Sequence, residues 1–102
     1  MADFVKVAKV DEVPQGEGIV VEVNGVEVAL FNVDGNFCAI NNTCLHRGGP
    51  LGEGYLEGEI VTCPWHGWQY DVMTGVSITN PRAQVKRYEV KVEGSEVKVA
   101  LD

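Results

Sequence analysis

Two dipeptides, Asn24-Gly25 and Asp34-Gly35, constrain this chain more than any other feature, because each separates two short segments rich in alternating or β-branched residues. Both pairs tolerate the positive φ angles that a two-residue hairpin turn requires. Glu93-Gly94-Ser95 repeats the signal near the C-terminus. The segments of this kind are Phe4 to Val7, Gly18 to Val23, Val26 to Phe31, Phe37 to Ile40, Glu59 to Cys63, Val85 to Val92 and Glu96 to Leu101. No window sustains a period of about 3.6 residues, so one helical turn at most is expected, around Val10 to Pro14. The chain therefore reads as all-β, made of antiparallel hairpins, and its 102 residues suffice for one domain spanning 1–102 with a modest core.

Composition narrows the function classes. At 45% hydrophobic and 23% charged the chain is not a disordered one. A net charge of −7 argues against a nucleic-acid binder, which needs a basic face to offset phosphate charge. Simple solubility and steering toward a basic docking face on a partner account for that charge about equally well. The opening residues MADFVKVAKV are interrupted by Asp3, Lys6 and Lys9, and no later stretch approaches spanning length, so an unanchored, cytoplasmic protein is expected. Three cysteines without a secretion signal make a poor disulfide framework and suit metal ligation with one thiol, Cys38, left over.

Two segments break the strand rhythm, about 41–57 and 63–80, and loops this long in so small a domain usually carry function. They hold Cys44-x-His46, then sixteen intervening residues, then Cys63-x-x-His66, so each loop offers one thiolate and one imidazole. Zinc fingers draw two Cys from one knuckle and two His from a helix, whereas zinc ribbons draw Cys pairs from both knuckles. One Cys and one His per loop instead fits a dinuclear iron–sulfur cluster, with both thiolates on one iron and both imidazoles on the other. A tetrahedral zinc site accepts the same ligand types, and that reading stays open; colour separates the two, since only the cluster absorbs visible light.

The stretches Cys44-Leu45-His46-Arg47-Gly48-Gly49-Pro50-Leu51 and Cys63-Pro64-Trp65-His66-Gly67-Trp68-Gln69-Tyr70-Asp71 closely resemble the two boxes of the Rieske family. The flanking hairpins, Asp71 to Gly75 and the C-terminal strand pair extend the likeness over nearly the whole chain. More narrowly, the sequence resembles the stand-alone Rieske ferredoxins that serve aromatic-ring-hydroxylating oxygenases. The resemblance implies a β-sandwich or barrel-like base carrying a cluster-binding subdomain of two loops. It implies one [2Fe–2S] cluster per chain, held by Cys44, Cys63, His46 and His66, with the cysteines on the buried iron and the histidines on the outer one.

Departures from the family pattern bear on the potential. The respiratory members carry an additional cysteine in each box, joined as a disulfide, where this chain has Gly49 and Trp65, and a serine where it has Trp68. Tyr70 occupies the place of a tyrosine that donates to a ligand sulfur in the family. A potential near the bottom of the Rieske range, about −150 to −100 mV, is expected. If each imidazole keeps its second nitrogen free, the potential should fall at alkaline pH as those protons are lost. Gly48 and Gly49 read either as letting the backbone approach the cluster or as an ordinary turn before Pro50. Pro64 stiffens the second box or marks a plain turn. Trp65 and Trp68 either shield the cluster or pack beneath the loops. Arg47 and Arg82 read as surface charge ahead of partner contacts.

The function implied is electron transfer from an NAD(P)H-dependent ferredoxin reductase to a terminal oxygenase or another oxidoreductase, with no bond chemistry on the chain itself; a monomer is expected. A catalytic oxygenase would need a mononuclear iron on two further histidines, and both histidines of the chain are already in the boxes. The remaining alternatives are the small subunit of an assimilatory nitrite reductase and a non-redox Cys2His2 zinc domain.

Overall fold

In the computed structural model, residues 4–45, 48–65 and 67–101 are described. The expected hairpins form. Strands β2 (Gly18–Val23) and β3 (Val26–Val33) turn at Asn24 (φ 50°) and Gly25 (φ 82°), and β3 turns into β4 (Asn36–Asn41) at Asp34 (φ 51°) and Gly35 (φ 90°). Both central residues of each turn thus have positive φ, the requirement that the dipeptides signalled. Strands β8 (Arg87–Glu93) and β9 (Glu96–Ala100) form the C-terminal hairpin, and β1 (Val5–Lys9) pairs with β9. Together they make a six-stranded antiparallel sheet in the order β1-β9-β8-β4-β3-β2, with β1 lying against β2 so that the sheet curls toward a barrel.

A second sheet contains β5 (Tyr55–Glu57), β6 (Ile60–Thr62) and β7 (Gln69–Asp71) in sequence order. Strands β5 and β7 fall within the stretches expected to be loops. Each has only three residues, too few for alternation to register, and each is held as a strand by pairing with β6. Among the described residues the helical segments are two 3-10 turns, Val10–Glu12 and Leu51–Glu53.

Strand β3 explains how the two sheets share one body. Its run Val28 to Asn32 is buried throughout. Val28 and Leu30, with Ala39 of the neighbouring strand, join Val97, Val99 and Tyr88 inside the curled sheet. Ala29 and Phe31, with Ile40, point the other way onto Leu51, Val61, Tyr70 and Val72 of the small-sheet side. A continuous apolar run bounded by turns is the pattern of a strand buried on both faces. Each fully buried side chain of this size contributes roughly 1.5–3 kcal/mol by leaving water. The second cluster also contains Cys44 and Cys63, so the site is rooted in the core.

Candidate metal centre

The two cysteine loops are built on one plan. The first leaves β4 through Asn42, whose side-chain oxygen accepts the Gly52 N–H at 2.7 Å while its carbonyl accepts the Leu51 N–H at 2.8 Å, closing the loop at its neck. Above the neck, Cys44 N–H donates to the Gly49 carbonyl at 2.9 Å, and Gly48 N–H returns to the Cys44 carbonyl at 2.7 Å. The second loop springs from the β6–β7 pair at Thr62 and Gln69. There Cys63 N–H donates to the Trp68 carbonyl at 2.8 Å, and Gly67 N–H returns to the Cys63 carbonyl at 3.2 Å. Each cysteine thus bonds to the fifth residue beyond it and accepts from the fourth. That fourth residue is a glycine of positive φ in both loops, 73° at Gly48 and 77° at Gly67, where a Cβ would be strained.

The loops present Cys44 and Cys63 to each other. Both are free thiols, 2% and 3% exposed, in one apolar cluster with Tyr70 and Leu51. Burial pushes the Cys63 thiol up; the Trp65 backbone pulls the other way, and Cys44 adds to the rise. The Tyr70 hydroxyl lies 3.5 Å from Cys44 Sγ and accepts the Leu45 N–H at 3.0 Å. Burial first, and then the contact with Cys44, hold this phenol well above its ordinary range, so it stays protonated and able to donate. Gly49 is a matter of space: a Cβ there would stand 2.7 Å from Cys63 Sγ and 3.1 Å from the Trp65 ring atom Cγ.

The other residues singled out by sequence divide clearly. Trp68 packs against the core below the loops, whereas Trp65 is 52% exposed and Pro64 is exposed. Cys38, expected as a small buried thiol, is half-buried on β4 with its sulfur 3.1 Å from Met73 Sδ, away from the loops. The expected ligands His46 and His66, and Arg47, lie outside the described residues.

A third loop, residues 76–86, was legible in sequence only in part: 76–80 as the tail of the 63–80 segment, Arg82 as a surface charge, and 85–86 as the start of an expected strand. Buried Ser77 holds it: its hydroxyl donates to the Gln69 carbonyl at 3.0 Å and accepts the Asn80 N–H at 3.1 Å. Ile78 N–H bonds the same carbonyl, and Gln69 N–H bonds Thr79 Oγ1, so this loop is strapped to the root of the second cysteine loop. The Asn80-Pro81 turn signal also marks it in sequence.

Two buried soft sulfurs free of any disulfide, on matched loops and with a hydroxyl donor beside one of them, fit an iron–sulfur cluster. Among the described residues no third Cys, His, Asp or Glu joins them.

The profile of the Rieske [2Fe-2S] domain matches residues 3–94. The chain is 35% identical over 101 residues to the ferredoxin component of the naphthalene 1,2-dioxygenase/salicylate 5-hydroxylase systems of a Ralstonia species, covering 98% of this chain and 97% of that one. It superposes on the ferredoxin of carbazole 1,9a-dioxygenase from Nocardioides aromaticivorans IC177 with a TM-score of 0.89 and 32% identity, covering 97% and 98% of the two chains. A TM-score of 0.88 and 32% identity relate it to a chain in the complex of reduced oxygenase and oxidised ferredoxin of carbazole 1,9a-dioxygenase, covering 95% and 92%. Its likeness to a protein from Mycobacterium tuberculosis described as an NADH-dependent nitrite reductase small subunit, TM-score 0.90 at 24% identity over 98% and 96% of the two chains, is one of fold alone.

Proposed function

The chain belongs to the Rieske [2Fe–2S] family, and from that membership we propose that it carries single electrons from an NAD(P)H-dependent ferredoxin reductase to a terminal aromatic-ring-hydroxylating oxygenase, as a cytoplasmic monomer. Its cofactor is a Rieske-type [2Fe–2S] cluster, which supplies one-electron uptake and release. The chain is an electron-transfer component and not an enzyme in its own right, like the ferredoxin components it resembles.

The observation that carries the assignment is the convergence of Cys44 and Cys63 on two loops of one hydrogen-bonding plan. We place His46 and His66 as the other two ligands. Each stands within the matched arc of its loop by sequence, between the cysteine and the glycine or just before it. The residues around them have separable tasks. Gly48 and Gly67 turn the loops, Gly49 leaves room for the Cys63 sulfur, and Tyr70 donates toward Cys44. Trp68 and Leu51 close the floor against water.

The terminal oxygenase is favoured as acceptor because the related carbazole dioxygenase ferredoxin is found in complex with its oxygenase. Purified protein should be red-brown, contain two iron atoms and two acid-labile sulfides per chain, and give an EPR signal after reduction with dithionite. A colourless protein containing stoichiometric zinc would overturn the assignment.

A further inference from the structure

The net charge of −7 is not spread over the molecule. None of the 15 Asp and Glu residues falls within 42–52, 62–69 or 76–86, the stretches that build the two cysteine loops and the third loop beside them, whereas Arg47, Arg82 and Lys86 do; Asp71 lies between the second and third. In the fold, Lys86 lines a groove of about 280 Å³ together with Asn41, Thr43, Leu45, Gln84 and Val85, on the flank of the first cysteine loop, with its Nζ 5.6 Å from the centre of the Tyr88 ring. Arg82 is exposed in the third loop, which is strapped to the second.

Two of these cations, Arg82 and Lys86, stand outside the ion pairs of the described residues. At the far end of β8, Lys91 and Lys98 are taken up by Glu93, and Lys6 by Glu96, at 2.7–3.6 Å. Glu27 reaches the foot of the first loop through its backbone, and Glu53 faces a separate groove with Glu17 and Tyr55, so neither lines the Lys86 groove. The same three loops carry exposed apolar side chains, Leu45 at 53%, Trp65 at 52% and Ile78 at 50%.

At physiological salt a charge is felt over about 8 Å, while the molecule is 36 Å long, so acids at the far end contribute little to an encounter at the loops. We propose that the cysteine-loop end is an electropositive docking face with an apolar centre, and that it takes a protein partner presenting carboxylates around an apolar patch. The sign is opposite to the one the net charge implies. The inference rests on the electron-carrier reading and names the chemistry of the partner's face.

The test uses the cluster-loaded protein, reduced with dithionite freed of excess, and small oxidants as probes of local charge. One electron per chain passes to ferricyanide, giving ferrocyanide, or to hexaammineruthenium(III), giving the ruthenium(II) ion; stopped-flow bleaching follows the rate. A positive approach face predicts that oxidation by ferricyanide slows from about 0.1 M salt, where a charge is felt over about 10 Å, to about 1 M, and that oxidation by the ruthenium cation quickens over the same range. The double variant Arg82→Glu with Lys86→Glu, with its visible absorbance as the check on folding, should reverse both trends. Ferricyanide oxidation that quickens with salt, or is flat, overturns the inference while leaving the carrier reading intact. A protein with no dithionite-reducible chromophore overturns the carrier reading, and this inference with it.

Discussion

The Tyr70 hydroxyl is fixed between two groups of the first cysteine loop: it accepts the Leu45 N–H at 3.0 Å and lies 3.5 Å from Cys44 Sγ. Because the amide occupies a lone pair of the oxygen, the phenolic proton is left for the sulfur. Tyr70→Phe should therefore lower the reduction potential, since a donor to a ligand sulfur favours the more negative, reduced state. It should also cost about 1–3 kcal/mol by stranding the Leu45 amide. Redox titration and denaturant unfolding of the variant measure the two effects separately, and an unchanged potential would remove Tyr70 from the site.

Gly49 and Gly48 are adjacent but serve different ends, and alanine distinguishes them. At Gly49 the added methyl would meet Cys63 Sγ at 2.7 Å and the Trp65 side chain at 3.1–3.2 Å, so Gly49→Ala should yield protein with little or no bound iron. At Gly48 the nearest atom is 3.8 Å away, and the cost is that of placing a Cβ at φ 73°, about 1–2 kcal/mol. Gly48→Ala should therefore keep its iron and unfold at lower denaturant. Equal iron contents in the two variants would contradict the steric account.

Cys38 supplies a control on the ligand set and a pH signature. Cys38→Ser should leave the visible spectrum intact, because its sulfur faces Met73 and not the loops. Burial, only partly offset by Arg87, holds the Cys38 thiol above its ordinary value of 9.0. The folded state therefore disfavours the thiolate: its stability is unaffected below pH 9.0 and declines as pH rises toward the raised folded-state value. Unfolding of the wild type and of Cys38→Ser compared above that pH should show the variant losing less stability. A spectrum altered by the substitution would mean that the cysteine assignments are wrong.

Ser77→Ala tests the strap on the third loop. Losing the bond to the Gln69 carbonyl and the bond from the Asn80 amide should destabilise the protein by about 1–3 kcal/mol while leaving the iron content at the wild-type level. Loss of iron in this variant would place Ser77 in the site itself.

What the sequence made legible was whatever depends on neighbouring residues. Asn24-Gly25 and Asp34-Gly35 need no partner elsewhere to demand a positive-φ turn, and both take one. The boxes announced Cys44 and Cys63 by spacing and residue type, and the fold brings the two together. Strands β5 and β7 were illegible because three residues carry no period and exist as strands only against Ile60 to Thr62. Ser77 and Asn42 were missed for a related reason: a buried serine or asparagine looks like any loop residue until its distant carbonyls and amides are in place. The net charge alone says little about docking at one end, because it sums over a molecule longer than the reach of its charges.

The central claim, one [2Fe–2S] cluster held by Cys44, Cys63, His46 and His66, meets its most direct test in the midpoint potential of the purified protein at neutral pH. Two thiolates and two imidazoles, without the disulfide and serine of the respiratory members, place the potential at about −150 to −100 mV. A midpoint near −400 mV, the range of all-thiolate ferredoxins, would contradict histidine ligation, and a clearly positive one would contradict the low-potential carrier.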